Sequence, residues 1–370
     1  MRKLVKILFA LVVILMFFGI ILVFSASGTY SAMKFDSIYV LFKSHLWKVI
    51  IAFVALVVFA SIPYENYKKH SKILILGIIF LLLLTLIIAP KVKGASRWID
   101  LGFVQFQPSE LAKIIIVMHL ASMIERKDEL IKDFQKGFLL TMVWIVIVAG
   151  LVLIQPNVST SAIIVLLSFT ILFVGGARLK HVLGTLGGAA AFGGIVMMIF
   201  SHSRERVLGY VNSIVNGGDL NIQVKQAKIA LGSGGILGVG LGHSRQSDLF
   251  LPESYGDFIF SILGEELGLV GTITILIIYL SIFLIGLIIA KRSDDRFGQL
   301  LGFGISFNIV FSAFINAGVV AGILPTTGIT LPFISFGGTS IIIFAMSVGI
   351  LINIANQSAK KQELRAAQVG

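Results

Sequence analysis

Cysteine is absent from all 370 residues, so neither a disulfide framework nor a thiolate metal site can form. Charge is scarce: 13% of residues are Asp, Glu, Lys or Arg, against about 25% in a soluble domain. Apolar residues make up 57%, and that balance makes lipid the expected solvent. Acids are the fewer of the charged residues, 18 against 30 Lys and Arg, for a net charge of +12. In a soluble chain such an excess would suggest nucleic acid. In a membrane chain basic residues sort to the loops of one side and meet anionic lipid. His45 and His119 lack a second ligand at helical spacing, which argues against a histidine metal site, whereas Asp and Glu oxygens leave room for Mg²⁺ or Mn²⁺. A P-loop is also missing: the glycine-rich stretch Ala230 to Gly242 has neither its lysine nor a strand-to-helix context, and tight backbone packing is its plainer reading.

What the chain has instead is a recurrent apolar segment of about 20 residues, the length that crosses a bilayer. It fits ten times, near residues 6–25, 46–62, 72–90, 108–124, 137–155, 158–175, 181–201, 257–290, 297–321 and 333–356. The prediction is an all-α integral membrane protein, one transmembrane domain over 1–370, with a long loop at about 202–256 and a short tail at about 357–370. Arg2, Lys3 and Lys6 lead into a first run, Ile7 to Phe24, that spans and is not a cleavable signal. The fifth and sixth segments are divided only by Gln155-Pro156-Asn157. The eighth is too long for one crossing; Leu267 to Ala290 suffices alone, which puts Glu265 and Glu266 at or above the interface, where ionised groups cost less. An even count places both termini on one side. That side gathers 18 of the 30 basic residues and is expected to be cytoplasmic, with the 202–256 loop outside.

The chemistry-bearing residues collect in that loop and at its exit. Asp257 precedes an apolar run. As Ser254-x-x-Asp257 it reads as a capping box; as a carboxylate at a water–lipid boundary it reads as a general base. Both readings stand on composition alone. Arg204, Arg206, Lys225, Lys228 and Arg245 share the loop, and Lys91, Lys93 and Arg97 lie in another outward loop, cations suited to an anionic group such as a pyrophosphate or a lipid headgroup. Within the spans Glu110 and Lys113 stand at i and i+3, placed to form an ion pair.

Six motifs together resemble the SEDS family, the FtsW, RodA and SpoVE group of membrane proteins. They are Phe24-Ser-Ala-Ser27, Lys93-Gly-Ala-Ser-Arg-Trp-Ile-Asp-Leu-Gly102, Gln107-Pro-Ser-Glu-Leu-Ala-Lys113, Leu251-Pro-Glu-Ser-Tyr-Gly-Asp-Phe-Ile-Phe260, Gly264-Glu-Glu-Leu-Gly268 and Leu324-Pro-Thr-Thr-Gly-Ile-Thr-Leu-Pro-Phe-Ile-Ser-Phe-Gly-Gly338. The resemblance covers nearly the whole chain. Phe24 to Ser27 and Thr330 to Pro332 are closer to the FtsW branch than to RodA. Three positions depart from the usual pattern: Asn157 where aspartate is frequent, Gly256 for threonine and Phe336 for tyrosine.

The resemblance implies a ten-helix bundle in the inner membrane with cytoplasmic termini. It implies peptidoglycan glycosyltransfer at the outer face, joining lipid II units by β-1,4 bonds as undecaprenyl pyrophosphate leaves. It makes Asp257 the base on the acceptor hydroxyl. Arg97, Arg204, Arg206, Gln223, Gln226, Ser244, Glu265 and Glu266 are the expected substrate contacts, with Mg²⁺ or Mn²⁺ as a candidate cofactor. The implied partners are a class B penicillin-binding transpeptidase and other division proteins, without nucleic acid. Two rival classes, a lipid II flippase and a non-catalytic scaffold, differ in requirement. A flippase needs ionisable groups at the midplane, and a scaffold does not need the Asp257 charge.

Overall fold

The computed structural model describes residues 1–89, 97–100, 102, 105–199, 201–215, 221–248 and 250–369. Among the described residues, eight helices are long and apolar enough to cross a membrane by length and composition. They are α1 (Arg2–Phe35), α2 (Val40–Ser61), α4 (Ser71–Ile88), α6 (Leu139–Ile154, entered through a π-turn at Phe134–Phe138), α8 (Leu179–Ile199), α11 (Ile259–Lys291), α12 (Arg296–Val320) and α13 (Ser340–Val369). Two more bring the bundle to ten: α5 (Pro108–Lys127), whose charges lower its hydropathy, and α7 (Val158–Val174), a shorter apolar helix. Short α3 (Tyr64–Lys69) joins α2 to α4.

The ten helices correspond to the ten segments read from the sequence, with three corrections. The last span begins at Ser340 and not near 333: Phe333 has a positive φ of 65° and Gly337-Gly338 follow, so the chain approaches the helix through an irregular segment. The expected tail continues α13 as helix, tied by Lys361 to Glu65 (3.2 Å) and Arg365 to Asp294 (3.2 Å). The segment 202–256 is no plain loop, because it contains α9 (Ser201–Val215) and α10 (Ile222–Ser233). Arg2 pairs with Glu363 at 3.1 Å, so both ends of the chain meet at one end of the bundle.

Burial ranks the helices. α5 is buried along nearly its whole length, from Pro108 to Ile124, which is how a helix carrying Glu110 and Lys113 can lie among apolar neighbours: the two pair at 2.9 Å. α8 is the opposite case, with Val182 its only buried residue, and it presents its sides outward. Between these extremes α2 lies along α13, close enough that a methyl on Gly349 would stand 2.4 Å from the Leu56 carbonyl oxygen.

One helix is broken, and the break positions the site. α11 interrupts at Gly268, whose φ of 66° and ψ of −163° lie outside helical space. A break leaves N–H and C=O groups without helical partners. The 235–240 segment supplies them: Leu269 and Val270 donate to the carbonyls of Gly235 and Ile236 (2.9 and 3.2 Å), and Val239 and Gly240 donate to those of Glu265 and Glu266 (both 3.0 Å). Only glycine permits this approach. Methyls on Gly234, Gly238 and Gly268 would fall 2.0, 2.1 and 2.4 Å from backbone atoms. The glycine-rich stretch is therefore a packing device, and the excess length of the eighth segment is the short piece of α11 before the break.

Candidate active site

Asp257 sits just before α11, in a turn made by Gly256 N–H donating to the Glu253 carbonyl at 2.9 Å. It does not cap the helix. The N-cap of α11 is Phe258, with no side-chain capping bond, and the Ser254 hydroxyl donates instead to the Ala26 carbonyl on α1 (3.1 Å). The capping-box reading thus fails because the turn has already spent Ser254 on another helix. The turn is clamped from two sides. Asn316 of α12, buried, donates its amide to the Asp257 carbonyl and to the Ile329 carbonyl, both at 2.7 Å. Phe336 N–H donates to the Tyr255 carbonyl at 2.9 Å, and the Phe336 ring meets that of Tyr255 edge-on at 5.5 Å. The backbone is fixed while the carboxylate stays half-buried.

That carboxylate faces a glycine and one arginine, Arg206, which has a second arginine, Arg97, beside it. A methyl built on Gly328, where φ is 74°, would lie 3.4 Å from its Oδ2. Arg206, projecting from α9, reaches the Thr326 carbonyl at 3.5 Å and interacts with Asp257 through charge. Burial pulls its guanidinium below the ordinary arginine range and the Asp257 carboxylate raises it again. Arg97 donates to the Pro156 carbonyl, and burial followed by the neighbouring Arg206 lowers it. The two cations are thus held together by protein contacts despite repulsion, an arrangement that favours an anion between or beside them. Arg206 also lines a cavity of about 320 Å³ with Tyr210, Asn221, Gln223 and Thr326.

Other expected contacts lie apart. Glu265 and Glu266 are 2% and 1% exposed, inside and not at an open mouth. Glu265 accepts from the Ser244 hydroxyl, from Arg245 N–H (3.1 Å) and from Gln246 N–H (3.3 Å). Glu266 accepts from the Ser25 hydroxyl and from Gly242 N–H (3.1 Å). Both carboxylates, and Ser244 with them, are occupied in holding the loop to α11. Arg204 is exposed two residues before Arg206, on another side of α9, and Gln226 is half-buried on α10 outside the cavity lining. Lys91 and Lys93 lie outside the described residues. Among the described residues no three His, Asp or Glu side chains gather in a way that could hold a metal ion.

Sequence reasoning passed over Lys48, Asn316 and Gly328. Lys48, buried in α2, holds its ammonium 3.9 Å from the centre of the Phe336 ring, beneath the Asp257 turn. A lysine inside an apolar run was the available signal. Asn316 offered none, since only the fold brings it to Asp257.

Residues 5–360 match the cell cycle protein family of FtsW, RodA and SpoVE. The chain belongs to this family. A relative named probable peptidoglycan glycosyltransferase FtsW, from Geobacter metallireducens, is 38% identical over 343 residues, 92% of this chain and 91% of its own. The stage V sporulation protein E of Bacillus subtilis is 34% identical over 348 residues, 93% and 95% of the two chains. A chain from the structure of a peptidoglycan synthase complex superposes with a TM-score of 0.75 at 22% identity, covering 97% of this chain and 98% of that one. The rod shape determining protein RodA of Thermus thermophilus gives 0.71 at 23%, covering 95% and 96%. At such identities these two share the fold.

Two of the three SEDS departures have local counterparts in this fold. Asn157 is the N-cap of α7, accepting from Thr160 N–H at 3.3 Å while its amide reaches the Ser109 hydroxyl at 3.4 Å. Gly256 is buried, yet a methyl there would make only ordinary contacts, 3.5 Å from the Glu253 carbonyl oxygen and 3.9 Å from that of Phe336, and nothing in the structure explains the glycine. Phe336, lacking a hydroxyl, offers its face to Lys48.

Proposed function

We propose that this chain is a peptidoglycan glycosyltransferase of the FtsW type, polymerising lipid II at the outer face of the inner membrane during division. The observation that carries the reading is Asp257 held on a rigid turn with Arg206 in charge contact, and Arg97 beside that arginine. Asp257 takes the proton from the 4-hydroxyl of the acceptor GlcNAc as that oxygen attacks the donor's anomeric carbon. The bond from that carbon to the pyrophosphate oxygen breaks, and its electron pair stays on the leaving undecaprenyl pyrophosphate. A single displacement turns an α-linked donor into a β-1,4 bond. Arg206 and Arg97 offset the charge that develops on the pyrophosphate, and Gln223 in the adjoining cavity offers an amide to sugar hydroxyls.

The basic bias of the loops at the termini's end supports cytoplasmic termini and puts Asp257 on the opposite face. Mg²⁺ or Mn²⁺ would enter with the pyrophosphate, since the described residues supply no cluster to hold it beforehand. A class B penicillin-binding transpeptidase is the expected partner, docking one membrane helix on the bundle. The test is lipid II polymerisation by the purified protein with that transpeptidase. Polymer from the wild type and none from Asp257→Asn supports the base; equal polymer from both removes it.

A further inference from the structure

At the end of the bundle where the chain termini meet, remote in the fold from Asp257, lies a second cavity of about 260 Å³. Lys72, His119, Met123, Arg126, Lys127 and Trp144 line it. Three of these are cations brought from separate places: Lys72 opens α4, while Arg126 and Lys127 close α5. Among the described residues none of the three is paired with an acid. Glu125, beside Arg126, is ion-paired with Lys68 at 2.6 Å. Arg126 spends its Nε on the Ser122 carbonyl (3.1 Å) and Lys127 makes only a long 3.4 Å contact to the Lys136 carbonyl. The Arg126 fork thus keeps donors for a ligand.

The inner wall is His119, 3% exposed, with the Trp144 ring edge-on at 4.7 Å. The Ser71 backbone interacts with the imidazole but makes no hydrogen bond of ordinary geometry, so both ring nitrogens are left over in a buried position. Such an orphan is costly unless something reaches it. His119 stands eight residues from Lys127, about 12 Å along the helix. The site therefore runs from the headgroup level to the edge of the hydrocarbon, where tryptophan is favoured.

The apolar surroundings continue the same axis. Leu76 and Phe80 follow Lys72 on one face of α4, at i+4 and i+8, and Leu140 and Ile147 flank Trp144 on one face of α6; all four are exposed. Helices α4 and α6 pack on each other, so a cationic mouth opens onto a two-helix apolar seam leading into the bilayer. The geometry points to a binding site for one anionic phospholipid of the leaflet at the termini's end. Its phosphate sits among Lys72, Arg126 and Lys127, an ester carbonyl of its glycerol backbone accepts from the His119 ring N–H, and its chains lie on the α4–α6 seam. The proposal does not depend on the glycosyltransferase reading.

Native mass spectrometry of the full-length protein, titrated with phosphatidylglycerol or phosphatidylcholine, tests it. The wild type is expected to keep one phosphatidylglycerol with at least tenfold preference. Lys72→Gln/Arg126→Gln/Lys127→Gln should weaken that lipid roughly a hundredfold, about fivefold per cation removed. A control of equal charge change at the same end, Lys3→Gln/Lys6→Gln/Lys69→Gln, should leave it unaltered. His119→Phe, which keeps an aromatic wall, should cost about fivefold, and it decides the matter if the triple variant fails to fold. Equal losses in both triple variants would reduce the effect to bulk charge and overturn the site. Displacement of the lipid by excess inorganic phosphate would show a free-phosphate site, also overturning the assignment. No preference between the lipids in the wild type would do the same, leaving the cluster to an acidic protein segment.

Discussion

Asp257 and the Glu265-Glu266 pair lie within one short stretch of chain, yet their surroundings divide them by role. The glutamates are buried and engaged in the fold: between them they accept from Ser25, Gly242, Ser244, Arg245 and Gln246. Asp257 has its backbone clamped by Asn316, while its carboxylate is half-exposed and faced by Arg206. A buried acid that accepts from backbone and hydroxyl donors of other segments holds a fold together. One that is rigidly presented with a cation in reach is available for chemistry.

Substitutions can break that comparison. Asp257→Asn should lower polymerisation by about a thousandfold, within the span of lost general-base catalysis, with the melting temperature unchanged. Glu265→Ala should do the reverse, costing about 3 kcal/mol in thermal unfolding because several buried donors lose their acceptor at once. If Asp257→Asn unfolds the protein and Glu265→Ala only slows it, the division of roles is wrong. Arg206→Gln should reduce kcat by ~30-fold with a small effect on stability, as expected when a charge stabilises a leaving group. Gly268→Ala should cost about 2 kcal/mol through its positive φ and the contact with Ile236 and Gly238. The smallest effect is Asn157→Asp. Both residues cap helices well, so exchange should stay within about 1 kcal/mol and leave polymerisation nearly intact, sharpening the view that charge at 157 is dispensable here.

Much of this was legible in the sequence, because apolar length is a local property and ten such lengths can be counted. Asp257 stood out as an acid entering an apolar run, but the run alone left base and cap open, and the preference for a base came from the family resemblance. The Glu110–Lys113 pair followed from helical spacing. What escaped depends on contacts distant in the chain. Nothing near Glu265 and Glu266 reveals that Ser244 arrives from a loop on the first and Ser25 from α1 on the second, so their acidity suggested an exposed mouth. Asn316 and Gly328 reach Asp257 only after α12 and the segment behind it have folded back. α9 and α10 were hidden because helices at a membrane surface need no long apolar run.

The break at Gly268 bears on biogenesis. When α11 enters the bilayer, the amides of Leu269 and Val270 and the carbonyls of Glu265 and Glu266, which flank the break, still await partners in a segment outside the helix. The helix can be threaded into lipid before it is complete. Its last backbone bonds are made only when the 235–240 segment folds down on it, so insertion and maturation are separate events. Amide exchange at Leu269 would report the second, with protection arriving after the span itself is already in place.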